Sequence, residues 1–256
     1  MDPFAPFSLK GKTAIITGGS KGLGKEIART FAAAGASILL TARTEADLKT
    51  ASDELAKETG STVDYLAGEI TSPDFAQQLV DHAVQKLGGL HILVNNAGIN
   101  VRGAIEDVTP EDFDNVMATN VKGPWLLCRA AAPVLKAQNW GRVINLSSAL
   151  GLVALADRSL YCTSKGAISH FTKELAVEWA KCGITVNAIC PGPFETEMNL
   201  SLITDPAVKA AFAKHTAMER WGKLDEIGPV ALFLASDASS YVTACQLTAD
   251  GGWVAH

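Results

Sequence analysis

The 256-residue chain has only five cysteines, Cys128, Cys162, Cys182, Cys190 and Cys245, with no CxxC pair among them. The number is odd and the spacings fit no metal-ligand motif. Neither a disulfide framework nor a metal site is therefore expected, and the thiols read as the reduced cysteines of a cytoplasmic protein. Charge is sparse as well. Charged residues make up 19% and the net charge is −5, which excludes the basic face that a nucleic-acid partner needs. No apolar run reaches the length of a membrane span. The segment from Met1 to Lys12 carries Pro3 and Pro6 and no continuous apolar core, unlike a signal peptide. Linkers, repeats and low-complexity stretches are missing, so residues 1–256 read as one domain.

Apolar residues are abundant, at 48% of the chain, enough for a large core. They form short runs at residues 12–17, 37–42, 62–67, 90–94, 142–146, 184–189 and 246–248. Most are continuous and rich in Val, Ile and Leu, as in strands covered on both faces of a parallel sheet. Helical stretches lie between them. Gly35 and Gly60 mark helix ends, and Thr44, Ser72-Pro73 and Thr109-Pro110 mark helix starts. Pro133 falls inside a helical stretch, where a kink is expected. Strand-helix alternation over the whole length predicts an α/β fold, a Rossmann-type doubly wound parallel sheet of about seven strands flanked by helices. Residues 194–222 break the alternation with a helical insertion. An insertion after a strand's carboxyl end lies over the ligand crevice, so a substrate lid is expected there.

The first strand runs into Thr17-Gly18-Gly19-Ser20-Lys21-Gly22-Leu23-Gly24, and a helix follows. Glycines at 18, 22 and 24 allow a tight turn and a close backbone approach, and the helix start offers free N–H groups to a pyrophosphate. The spacing is GxxxGxG. About 20 residues on, a carboxylate would mark NAD, and an arginine would accommodate the additional phosphate of NADP. Here the second strand ends Thr41-Ala42-Arg43, with no acid at that position. Arg43 and Lys21 could clamp a 2′-phosphate, so NADP(H) is the expected coenzyme.

Tyr161 and Lys165 stand four residues apart, on one face of a helix, with Ser148 upstream. A phenol is a poor acid-base group near neutral pH, with a reference pKa of about 10. A neighbouring lysine charge favours the phenolate. Tyrosine, lysine and a hydroxyl together can move a proton to or from a substrate oxygen.

In order and spacing these pieces resemble the short-chain dehydrogenase/reductase family over residues 12–252. The motifs are TGxxxGxG at Thr17–Gly24, NNAG at Asn95–Gly98, Asn120, Ser148, YxxxK at Tyr161–Lys165, and Pro191-Gly192 with Thr196. The resemblance implies hydride transfer between nicotinamide and a carbonyl or carbinol carbon, and a homotetramer. It implies that Tyr161 is the general acid-base, Lys165 also holds the nicotinamide ribose, Ser148 binds the substrate oxygen, and Asn120 positions a water in a proton relay. Asn96, Ala97 and Gly98 would line the ribose side of the coenzyme, and Pro191, Gly192, Phe194 and Thr196 its carboxamide end. Glu69, followed by Ile70, stands where the family often has an aspartate near the adenine. The chain's close is similar to polyol and gluconate dehydrogenases and to 3-oxoacyl-carrier-protein reductases.

The expected activity is thus the NADP(H)-dependent interconversion of a ketone and a secondary alcohol of a small molecule. A 3-oxoacyl-carrier-protein reductase is one alternative, and an NADP-binding sensor or scaffold without turnover is another. Leu150, Leu155, Phe194 and Met198 are expected to line the substrate pocket beside Ser148 and Tyr161. These neighbours are mostly apolar, which favours a neutral ketone or a polyol or sugar-acid substrate, although Arg102 and Arg158 could reach in.

Overall fold

The computed structural model describes residues 2–255. Each apolar run becomes a strand: β1 Thr13–Thr17, β2 Ser37–Ala42, β3 Val63–Ala67, β4 Ile92–Asn95, β5 Gly141–Leu146, β6 Ile184–Pro191 and β7 Gln246–Ala249. They pair in parallel, in the order β3-β2-β1-β4-β5-β6-β7. The order reverses between β1 and β4. At such a switch point the carboxyl ends of the strands open a crevice.

The helices are α1 Gly22–Ala33, α2 Glu45–Thr59, α3 Pro73–Leu87, α4 Pro110–Met117, α5 Gly123–Ala137, α6 Ser159–Trp179, α7 Leu200–Ile203, α8 Pro206–Ala213 and α9 Ile227–Ala235. Their ends follow the sequence signals. Ser72 Oγ accepts from Phe75 N at 3.3 Å. Thr109 Oγ1 accepts from Asp112 N at 3.1 Å, while the Asp112 carboxylate accepts from Thr109 N at 3.1 Å, a reciprocal capping box. Gly60 ends α2 in the left-handed region.

Side chains alternate across the sheet. Ile16, Ile38 and Leu40 pack with Ile27 and Phe31 of α1 and Leu234 of α9. Ile15, Leu39 and Leu93 pack with Leu79 of α3 and Leu127 of α5. The inner strands are therefore covered on both faces, which is why their sequences are mostly apolar, with Arg142 and Asn145 of β5 and Thr185 and Asn187 of β6 as buried exceptions. Each of these buried aliphatic side chains contributes roughly 1.5–3 kcal/mol through burial.

Two local features depart from the sequence pattern. Helix α5 runs unbroken through Pro133. The irregularity falls earlier, as a single π-helical turn at Ala118–Lys122. The second departure is the insertion, where α7 and α8 stand outside the sheet. A bridge between Phe194 and Gly222 closes its base. No helix among the described residues is long and apolar enough to cross a membrane.

Candidate active site

The glycine turn is tied to the strand across the switch point. Asn96 Nδ2 donates to Thr17 O at 2.8 Å and Gly18 O at 3.2 Å. Thr17 Oγ1 accepts from the backbone N–H groups of Asn96 and Ala97, both at 2.9 Å. Gly18 has φ +63, and a Cβ on Gly24 would lie 2.4 Å from Gly18 O. Only glycine allows α1 to start this close to the end of β1. The N-terminus of α1 therefore opens directly onto the crevice, with its N–H groups available to an anion.

A cleft of about 690 Å³ runs along the carboxyl ends of the strands, within the range of small-molecule sites, about 300–1,000 Å³. Gly18, Ser20, Lys21, Gly22 and Leu23 line its phosphate end. Arg43 lies beyond them, and Glu69 and Ile70 lie on the β3 side. Asn96, Ala97 and Gly98 form the floor, and Pro191, Gly192, Phe194 and Thr196 the far wall. Gly24 does not line the cleft; it lies behind the turn and is buried there. Among the described residues neither Lys21 nor Arg43 is in a salt bridge. Thr44 is the N-cap of α2, yet its hydroxyl makes no cap bond, so it remains available to a ligand. Asp47, in the first turn of α2, also borders the cleft.

At the other end Ser148, Tyr161 and Lys165 line the same cleft. Ser148 follows β5 and starts a short 3-10 turn, with Oγ accepting from Leu150 N at 3.1 Å. Tyr161 and Lys165 come from the first two turns of α6. Lys165 Nζ donates to Leu146 O at 2.6 Å and lies 5.6 Å from the Tyr161 ring centroid. Burial pushes the Lys165 ammonium down to about 8. The Tyr161 phenol is raised above its ordinary value. Burial raises it, and the Ser148 hydroxyl and, more weakly, the Arg102 charge pull it back. Loss of water dominates, and the ammonium sits beside the ring, held by a backbone carbonyl.

Asn120 lies in the π-turn and is buried. Its Oδ1 accepts from Ile99 N at 2.8 Å, and its Nδ2 donates to Ile99 O at 2.9 Å and Ser164 Oγ at 3.0 Å. Both amide hydrogens are committed to the protein. The side chain therefore holds the loop after β4 against α6.

A second cavity, of about 70 Å³, adjoins Ser148 and Tyr161. Leu150 and Met198 line it, whereas Leu155 lines neither cavity. Leu155 falls in the loop between the 3-10 turn at Ala149–Gly151 and α6, past the stretch that faces the cleft. Asn100, Arg102, Arg158, Leu202, Phe212 and Trp253 complete the wall. Leu202 and Phe212 escape sequence reasoning because they come from α7 and α8, with no motif around them, and Trp253 belongs to the chain's close, whose resemblance carried no pocket role. Arg102 anchors the insertion. It donates to Ser201 Oγ, to Met198 O at 3.2 Å and to Asn199 Oδ1 at 3.0 Å.

A family model described as "Enoyl-(Acyl carrier protein) reductase" matches residues 18–254. The D-beta-hydroxybutyrate dehydrogenase of Rhizobium meliloti (strain 1021) is 36% identical over 255 residues, covering 95% of this chain and 99% of that protein. A gluconate 5-dehydrogenase from Burkholderia cenocepacia J2315, solved in complex with NADP and tartrate, is 34% identical. It superposes with a TM-score of 0.94 over 98% of each chain. A short-chain type dehydrogenase/reductase from Mycobacterium marinum is 36% identical, with a TM-score of 0.93 over 98% of each chain.

Proposed function

The chain belongs to the short-chain dehydrogenase/reductase family and is an oxidoreductase acting on hydroxyl or ketone groups, and from that premise we propose that it uses NADP(H), with Tyr161 as the general acid-base. The observation that carries this reading is the content of one continuous cleft. Two unpaired cations stand at one end, and Ser148, Tyr161 and Lys165 stand at the other.

When bound, the nicotinamide coenzyme supplies or accepts the hydride at the reacting carbon. The free N–H groups at the start of α1 hold its pyrophosphate. Lys21, Arg43 and the Thr44 hydroxyl take the 2′-phosphate, and Lys165 takes the nicotinamide ribose. Ser148 donates a hydrogen bond to the substrate oxygen and orients it. Tyr161 gives that oxygen a proton in reduction and takes it back in oxidation. Asn120 acts at one remove as a positioning residue, by fixing Ile99 and Ser164. Residues 194–222 act as a lid, held at its free side by Arg102.

The family resemblance also supports a cytoplasmic homotetramer. Trp125 on α5 and Val177 on α6 are exposed apolar side chains of the kind a second copy would cover.

Following the absorbance of NADPH with a panel of small ketones tests the activity. Oxidation of NADPH is expected with at least one of them, and tight NADPH binding without oxidation of any ketone overturns the reading. The double variant Ala42→Asp/Arg43→Gln tests the coenzyme preference. Removing a charge-assisted phosphate contact should weaken NADPH binding by about 10- to 100-fold. The new carboxylate should improve NADH binding, because it can accept from the ribose 2′-hydroxyl. Unchanged dissociation constants for both coenzymes would show that Arg43 does not read the phosphate.

A further inference from the structure

Arg102 and Arg158 face the second cavity without an acid to balance them. No Asp or Glu lines that cavity, and among the described residues neither arginine is in a salt bridge. Asp157 precedes Arg158, yet what it accepts from the guanidinium is a hydrogen bond to its backbone carbonyl, at 2.8 Å. Three of the five N–H donors of Arg102 go to the lid segment. Its Nε is enclosed and has no partner. The two guanidinium groups lie close enough to repel, and burial pushes both down from the ordinary arginine value. Asp157 offsets part of the burial of Arg158, but among the described residues no acid is near Arg102, and half-buried cations without a salt-bridge partner are unfavourable by themselves. Arg158 also directly precedes α6, whose N-terminal dipole adds positive potential to the same wall.

We propose that Arg102 and Arg158 form an anion subsite beside Ser148 and Tyr161, which makes a hydroxylated carboxylic acid, or its keto form, the substrate class. The proposal rests on the reading of Ser148 and Tyr161 as the reacting end. A carboxylate between the two arginines accepts from the N–H donors that Arg102 does not give to the lid and from the fork of Arg158, and relieves their repulsion. Because the other Arg102 donors hold residues 198–201, the same anion also ties the lid to the start of α6. Asn100 contributes a second unmet demand in this cavity. Its amide oxygen is enclosed and unpartnered, which suits a substrate hydroxyl better than a bare acyl chain. The range expected from the sequence, a neutral ketone or a polyol or sugar acid, is thereby narrowed to its acid members. The apolar residues around Ser148 had outnumbered the two arginines, but nothing in the chain order showed that, among the described residues, neither arginine is in a salt bridge.

The test measures binding without turnover. Protein saturated with NADPH cannot oxidise an alcohol, so calorimetry with D-gluconate and D-3-hydroxybutyrate, each against its uncharged analogue sorbitol or 1,3-butanediol, reads charge recognition alone. At least one acid should bind about tenfold or more tightly than its analogue. Arg158→Gln should weaken that acid by about 10- to 100-fold, leave the analogue unchanged and keep the NADPH dissociation constant. Arg158→Lys should recover part of the loss. No binding of either acid, equal affinities for acid and analogue, or an equal loss of both in Arg158→Gln would overturn the subsite. Selective acid binding without turnover of any substrate would instead remove the oxidoreductase reading of the pocket and leave the anion subsite standing.

Discussion

Replacing Tyr161 by phenylalanine lowers turnover by about 10²- to 10⁴-fold, the usual contribution of a positioned general acid, and leaves the NADPH dissociation constant within about twofold of the wild type. The ring stays, so the packing at the start of α6 and the face presented to Lys165 stay as well; only the proton donor goes. The phenol's raised proton affinity gives the reaction a direction with pH. Burial keeps Tyr161 protonated at neutral pH, which is the form that reduction needs. Reduction should therefore hold its rate through neutral pH and decline only on the alkaline side. Oxidation, which needs the phenolate, should rise over that same alkaline range. Both pH limbs should vanish in Tyr161→Phe. Steady-state rates in both directions, with coenzyme binding followed by fluorescence, check this. Residual turnover above about a tenth of wild type would remove Tyr161 from the proton transfer.

The parts of the fold legible from sequence share a physical cause. Inner strands β1, β4, β5 and β6 are covered on both faces, so burial makes their sequences predominantly apolar. The glycine turn is legible because a Cβ on Gly24 would strike Gly18 O, and a steric demand of that kind leaves few residue choices. The Tyr161 and Lys165 spacing is legible because helix geometry places residues i and i+4 together. What stays hidden depends on long-range contact. The commitment of Asn120 to Ile99 and Ser164 spans 21 and 44 residues. The lid contacts of Arg102 cross 96 to 99 residues. Burial is the other hidden variable. It raises the phenol and lowers the ammonium, and no spacing rule reports how far water is excluded from Tyr161 and Lys165.

That exclusion of water gives the second large effect its unusual form: Lys165→Met should make the protein more stable and nearly inactive. The ammonium is buried and its pKa falls from 10.5 to about 8. The shift corresponds to roughly 3 kcal/mol that favours the unfolded, solvated charge at neutral pH. Methionine keeps the aliphatic volume but gives up the hydrogen bond to Leu146 O, a loss of about 1 kcal/mol. The net gain at pH 7 is roughly 2 kcal/mol, or about 4–8 °C in Tm for a chain of this size. The sign follows from proton counting. Between the folded pKa near 8 and the unfolded value of 10.5, the unfolded wild type binds more protons. Wild-type stability therefore rises with pH across that window. The advantage of the variant should be full below about pH 8, disappear before pH reaches 10.5, and give way above it to a deficit of about 1 kcal/mol from the lost Leu146 bond. Catalysis moves the other way. Without the ammonium the nicotinamide ribose loses its charged partner and the phenol its cationic neighbour. A misplaced reacting centre costs about 10²-fold, so kcat/KM should fall by at least that factor, with weaker NADPH binding. Thermal unfolding of the coenzyme-free protein at several pH values, alongside steady-state rates, reads both sides. A variant that is destabilised at pH 7 would mean that the Leu146 bond outweighs the buried charge. A stabilised variant with near-normal kcat/KM would mean that the charge, held at a thermodynamic cost, plays no part in the reaction.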